Sequence, residues 1–271
     1  YSASWGPTDD GKTVDGPRKA TLEAMAKGVT EGRGGKGSIY IWASGDGGAI
    51  DDCNCDGYAS SIWTISINAV GIDGSTAVYD ESCASTLATT FSNSKNPDVD
   101  GISTTDLYGK CTNKHSGTSA AAPEAAGVVA LALSINPDLT WRDIQHLIVY
   151  TARIPVQSMR KRQNSEWLEN SAGFQHSIRY GFGLMDSWNL VSGALVWNLV
   201  PPLVSYSPLS IGFNEEIPMG ASYLRLPAVI SNAESEGKGL FSLEHIQVTV
   251  NIDHRHRGHI EISLIFDRVF Y

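Results

Sequence analysis

The stretch Thr118 to Leu133, TSAAAPEAAGVVALAL, constrains the fold more than any other part of the chain. It is apolar on nearly every face and rich in alanine. A surface helix keeps one polar face, so a helix without one has to be buried on all sides. Such a helix needs a layer of other structure against it, and the sequence offers candidates. Ser38 to Ala43 (SIYIWA) and Ser61 to Val70 are short apolar runs, and the first ends in S-G-D-G-G. Apolar runs that end in Gly-rich turns read as buried parallel strands feeding loops. Asp15-Gly16-Pro17 reads as a helix entry. Leu22, Met25, Ala26 and Val29 follow at helical spacing, with Gly28 and Gly32 weakening the far end. Asn136-Pro137 closes the alanine-rich helix. Thr140, with Asp143 three residues on, opens another, TWRDIQHLIVYT. Strands alternating with helices predict an α/β domain, a layered parallel sheet with helices, over residues 1–195.

The character changes beyond about Val200. Ile246, Val248, Val250 and Ile252 alternate strictly, as do Ile260, Ile262, Leu264 and Phe266, across the polar segment DHRHRGH. This predicts a β-hairpin in a second, all-β domain over 196–271, with too few strands to close a sandwich. Ser158 to Ser171 is polar and carries Arg160-Lys161-Arg162. It reads as a solvated loop, with an exposed processing site as the rival. The chain begins and stops in strand-like stretches at Tyr1 and Tyr271, which reads as truncation at both ends.

Net charge of -9 argues against nucleic acid as the main partner and permits a cationic one. No run of about 18 apolar residues is read, so no transmembrane segment is expected. Four cysteines lie between Cys53 and Cys111. Four allow three full pairings, and the sequence alone does not choose. A zinc reading of the C-x-C lacks a second Cys/His pair at suitable spacing.

The segment His115 to Pro123, HSGTSAAAP, carries the clearest chemistry. A nucleophilic serine needs a rigid platform and backbone N–H donors nearby. Ser119 in the first turn of a buried helix has both, because the first N–H groups of a helix are unpaired and its N-terminus is electropositive. Taken alone, G-T-S-A reads equally well as a helix cap before an alanine-rich core helix. The upstream loop Ala43-Ser44-Gly45-Asp46-Gly47-Gly48, placed after a strand, reads by itself as a turn and gains weight only from the resemblance that follows.

Several blocks then resemble the kexin-like branch of the subtilases, the proprotein convertases: YSASWGPTDDGKTVDGP, GRGGKGSIYIWASGDGG, DDCNCDGYASS, YDESC, STLATTFS, TTDLYGKC, HSGTSAAAPEAAGVVALAL and LTWRDIQHL. LEHIQVTVNI resembles the start of the P domain that follows the catalytic domain there. Residues 156–236 and the last six match weakly. The resemblance implies a subtilisin-like fold and a calcium-dependent endoprotease that cuts prohormones and neuropeptide precursors after paired basic residues.

Residue by residue, it implies that Ser119 is the nucleophile and that Asp46 stands in the oxyanion loop, where most of the branch has Asn. It implies that the triad Asp and His precede Tyr1 in order, and that His115 is not the triad His. Asp56 lines the P1 pocket with Asp9; Asp15 and Tyr58 line subsites for upstream basic residues; Trp5 and Pro7 help build the cleft. Asp9, Asp51 and Glu81 hold Ca²⁺, which suits an oxygen-rich set. Cys53 pairs with Cys83, Cys111 pairs with a cysteine upstream of Tyr1, and Cys55 is assigned nothing.

Asp9, Asp10, Asp15, Asp51, Asp52, Asp56 and Glu81 also read more simply as a solvated acidic surface. By the same resemblance the partners include the chain's own propeptide and a small neuroendocrine chaperone, and the place is the secretory pathway or its dense-core granules. Two rival readings stand: a non-catalytic truncated product, and another member of the branch.

Overall fold

In the computed structural model, residues 1–93, 101–155 and 167–207 are described without a break. Beyond them, residues 212, 215–218, 220, 223–227, 237–240 and 243–264 are described. The chain divides into two compact units, Tyr1–Val200 and Pro201–Tyr271.

The first unit is built on a parallel sheet of four strands in sequence order: β1 (Ser2–Ala3), β2 (Tyr40–Ala43), β3 (Thr64–Val70) and β4 (Thr86–Phe91). All three strand pairings are parallel, and the register of β3 with β4 shifts at Ser66/Ile67. Every residue of β3 is buried, as a central parallel strand covered on both faces requires. Helix α1 (Lys19–Gly35) lies between β1 and β2 in the chain. It starts later than Asp15-Gly16-Pro17 suggests, because Asp15 is held extended: its N–H donates to Cys55 O and its carbonyl accepts from Gly57 N–H. Its helical geometry breaks at Gly32 to Gly34.

The alanine-rich segment is helix α2 (Thr118–Ile135), packed against all four strands. Ala121, Ala122, Ala125, Val129 and Ala132 meet Ile41, Ala43, Ile65, Ile67, Ala69 and Ala88 in one core. The small side chains bring the backbones close: Thr90 Oγ1 donates to Ala121 O at 2.6 Å. By length and composition α2 is also apolar enough to cross a membrane, against the expectation of no such run. Its buried alanines and valine make it the core helix of this domain instead.

Helix α3 (Trp141–Thr151) opens with the expected capping box. Asp143 N–H donates to Thr140 Oγ1 and Thr140 N–H donates to Asp143 Oδ2. Helix α4 (Ser187–Val196) packs on α2 and α3. An antiparallel hairpin, β5 (Ile102–Asp106) with β6 (Lys110–His115), and a two-residue pair, β7 (Leu168–Glu169) with β8 (Gln175–His176), are the other strand pairs among the described residues of the unit.

In the second unit the described residues form no strand, including 246–252 and 260–264. Ile246, Val248, Val250 and Ile252 are exposed, so the expected hairpin is not formed there. Two strands with nothing to cover their apolar face are marginal in water. Phe266, the last six residues and Arg160-Lys161-Arg162 lie outside the described residues.

Asp143 ties α3 to the chain beyond α4. It is fully buried, and its Oδ1 accepts from Trp197 Nε1–H at 2.9 Å and Val200 N–H at 2.8 Å. Asp143→Ala removes the cap and leaves two donors without their acceptor. It is expected to lower unfolding free energy by about 3 kcal/mol, read as a shift of the urea midpoint. A shift near zero would show that this carboxylate is not the anchor.

Candidate active site

Ser119 is the second residue of α2, and local chemistry fixes the start of that helix. Gly117, the cap, sits at φ +88°, and a Cβ there would stand 2.7 Å from Asp46 Oδ2. Only glycine meets both demands. Asp46 Oδ1 accepts from Thr118 N–H and from Thr118 Oγ1–H, both at 2.8 Å. A carboxylate oxygen receiving the first N–H of a helix is favoured by the positive end of the helix dipole. The loop after β2 is thereby clamped to the turn before Ser119.

Pro123 lies within α2 and has no N–H to bond Ser119 O four residues back. That carbonyl instead accepts from Ser4 Oγ–H at 3.0 Å, and Ser119 Oγ–H donates to Ser4 O at 3.4 Å. Ser119 is half-buried. Ser4 follows β1, Asp46 follows β2 and Ser92 follows β4, so three of the residues that meet the start of α2 come from the carboxyl ends of parallel strands. That is where α/β sheets place their sites.

An acidic hollow lies beside this turn, lined by Pro7, Thr8, Asp9, Thr13, Ser44, Asp51, Asp52, Cys55, Asp56 and Glu81. Asp9, Asp51 and Glu81 each offer an oxygen within 4.8 Å of the others. Backbone N–H groups hold all three. Asp9 Oδ2 accepts from Asp46 N–H, Asp51 Oδ2 from Gly11 N–H, and Glu81 Oε1 from Gly47 N–H. Glu81 is 2% exposed. Burial pushes its carboxyl up to about 8, the Gly47 bond opposes this, and the charges of Asp9 and Asp51 add to it. Three converging carboxylates with oxygen donors only, one of them buried and held off ionisation, form a set that suits a hard cation.

Asp56 caps the following turn, its Oδ1 accepting from Tyr58 N–H at 2.7 Å and Ala59 N–H at 3.2 Å. Burial raises its carboxyl, those bonds oppose it, and Asp9 and Asp15 push the same way as burial. Asp15 is exposed and runs alongside Asp56 in a parallel bridge. Trp5, 60% exposed, stands over Trp42 and Tyr58 with ring centroids 4.9 and 5.0 Å away. Tyr58 also stacks on Trp42 at 4.9 Å, and Trp42 Nε1–H donates to Trp5 O. Tyr58 is therefore partly a packing residue, and Trp5 forms the outer wall.

Cys53 and Cys83 form a disulfide in a small core with Ala3, Trp42 and Ala59. Cys111 is exposed on β6. The sequence reading missed Ser4, Thr118 and Tyr79 as partners of the nucleophile turn. Each lies in a quoted block, but its contact partner is 38 to 115 residues away.

Residues 1–183 match the family model described as "Subtilase family". The chain belongs to the subtilase family. Within it the chain stands on the kexin-like branch, and it is similar to neuroendocrine convertase 2 of several animals. It is 53% identical over 268 residues to that of Rattus norvegicus, covering 97% of this chain and 41% of the relative. It is 52% identical over 265 residues to that of Drosophila melanogaster, covering 97% and 40%. The chain thus spans about two fifths of the length of the curated relatives it matches. Among solved structures it resembles a serine protease of Aeromonas sobria, with TM-score 0.63 and 20% identity over 74% of this chain and 44% of the other, which is a likeness of fold.

Glu81 makes the cation-free protein pH-sensitive. Its folded-state value of about 8 lies above the ordinary 4.5. Between these values the folded state holds a proton that the unfolded state has released, so stability falls as pH rises from about 4.5 to about 8. Melting temperatures in chelator from pH 5 to 8 are expected to fall for the wild type and to fall less steeply for Glu81→Gln. Identical slopes would remove Glu81 as the cause.

Proposed function

We propose that the full-length protein is a calcium-dependent serine endoprotease that cleaves hormone and neuropeptide precursors after paired basic residues. The observation that carries this is the placement of Ser119 in the first turn of α2, in a turn clamped to the Asp46 loop, with the half-buried acidic hollow of Asp9, Asp51, Asp56 and Glu81 alongside. Ser119 Oγ attacks the scissile carbonyl, its proton passing to a histidine of the remaining catalytic domain. That proton passes to the departing amine as the peptide bond breaks, and water then hydrolyses the acyl-enzyme and frees the serine. The N–H of Ser119 itself, in the first turn of α2, faces the developing oxyanion, Thr118 N–H being held by Asp46.

Asp56 receives the Lys or Arg side chain before the cut, since a cation gains charge-assisted bonds there that a neutral side chain does not. Asp15 and Tyr58 contact basic residues further upstream, with Trp5 and Pro7 walling the cleft. Asp9, Asp51 and Glu81 would hold Ca²⁺, which supplies the positive charge that three adjacent carboxylates lack and stiffens the hollow. The Cys53–Cys83 disulfide supports an oxidising compartment, and the kinship with neuroendocrine convertase 2 supports the secretory pathway and its granules. On this reading the chain's own propeptide and a small neuroendocrine chaperone are its other partners.

Two substitutions in the full-length protein test this. Ser119→Ala is expected to abolish turnover and labelling by a fluorophosphonate probe while the melting temperature stays close to the wild-type value; retained labelling would show another nucleophile. Asp56→Asn is expected to lower kcat/KM for peptides with basic P1 residues by about 100-fold, as losing one charged partner of a buried cation costs. An unchanged kcat/KM would move the P1 pocket elsewhere.

A further inference from the structure

We propose that Tyr79 is a positioning residue for the nucleophile, its phenol oxygen holding the peptide before Thr118 while its main chain holds the loop after β2. This rests on the reading of Ser119 above. Gly117 N–H donates to Tyr79 Oη at 3.2 Å, and Gly117 O accepts from Ser92 Oγ–H at 3.0 Å. Both polar groups of the residue that caps α2 are therefore engaged. Tyr79 Oη is itself fixed from behind, with Asn93 O and Asn93 Oδ1 both at 2.9 Å and Ser92 Oγ at 3.1 Å. A phenol has one hydrogen to donate and Ser92 spends its own on Gly117 O, so the phenol proton is directed to the acceptors Asn93 O, Asn93 Oδ1 and Ser92 Oγ, and a lone pair is left for Gly117 N–H.

At its other end, Tyr79 O accepts from Gly48 N–H at 2.8 Å. Two residues further, Glu81 Oε1 accepts from Gly47 N–H at 2.9 Å. One short segment, Tyr79 to Glu81, thus braces the loop of Asp46 and the turn of Ser119 together. The physical need is clear at Gly117. A glycine at positive φ has the widest choice of backbone conformations, and its torsions aim the first turn of α2, hence Ser119 Oγ. The hydrogen bonds from Thr118 to Asp46 hold the turn from one side, and Tyr79 with Ser92 hold it from the other. Misplacing a reacting atom by about 1 Å costs on the order of 100-fold in rate. The Tyr79 ring packs against the core, so removing the oxygen alone leaves the packing in place.

Tyr79→Phe in the full-length protein makes that deletion. Acylation of Ser119 by a fluorophosphonate probe, and kcat on a peptide with paired basic residues, are expected to fall about 10- to 100-fold. KM should stay within about twofold, and stabilisation by calcium should be retained, because Asp9, Asp51 and Glu81 are untouched. Ser92→Ala is expected to lower the same rates less, and the double variant to lose little beyond Tyr79→Phe, since both side chains hold one peptide. If Tyr79→Phe does not fold, the acylation rate of Ser92→Ala decides, and an unchanged rate there overturns the proposal. A lower melting temperature with unchanged acylation would make Tyr79 a structural brace only and overturns it. So does a raised KM with unchanged kcat. If the wild-type protein is not acylated at Ser119 at all, the nucleophile reading fails first and the role of Tyr79 falls with it.

Discussion

A helix with no polar face has to be sheathed, and the arrangement of the first unit follows from sheathing α2. Alanines let the parallel sheet approach closely, so the strands lie against the helix along its length. The start of the helix then emerges where the strands end. The loops after β1, β2 and β4 converge on it. The Ser119 turn therefore does not have to be assembled from distant surface loops. It sits where the carboxyl ends of the strands and the amino end of the helix meet, and the electropositive start of the helix and the backbone of the loops supply the polarity.

The same convergence concentrates charge. Asp9, Asp51 and Glu81 are brought together by the connections that follow β1, β2 and β3. Bringing three carboxylates close in a half-buried hollow is unfavourable by itself, from desolvation first and mutual repulsion second. Backbone N–H bonds to each offset part of this cost. The remainder is an electrostatic deficit that a cation, bound or presented by a basic peptide, would relieve. The acidic cluster and the Ser119 turn are also joined mechanically, because residues of one segment, Tyr79 and Glu81, bond adjacent glycines of one loop.

Local chemistry was read well where one segment carries its own constraints. The capping box at Thr140 and Asp143 needs only residues three apart, and it forms as written. The strands Tyr40–Ala43 and Thr64–Val70 are apolar runs too short to be helices, bounded by turn residues. The reading went astray where a long-range contact overrides the local signal. The Asp15-Gly16-Pro17 entry is delayed because Cys55 and Gly57 hold Asp15 extended. The alternation of Ile246 to Ile252 matches a strand, yet with no described partner to pair it the residues remain irregular and exposed.

From sequence alone came the buried helix with Ser119 in its first turn, the glycine before it, and the loop of Asp46 after a strand. These depend on periodicity and on the few residues that tolerate a given backbone angle. The acidic residues were visible one by one, and their assembly into one hollow came from resemblance rather than from any spacing in the chain. Only the tertiary structure decided that Thr118 bonds Asp46, that Ser4 takes the carbonyl released by Pro123, that Trp42 joins Trp5 to Tyr58, and that Tyr79 holds Gly117. Each of these joins segments 16 to 115 residues apart. A side chain's own neighbours in sequence do not specify such a partner; it is chosen by which strand ends the packing of α2 brings within hydrogen-bonding distance.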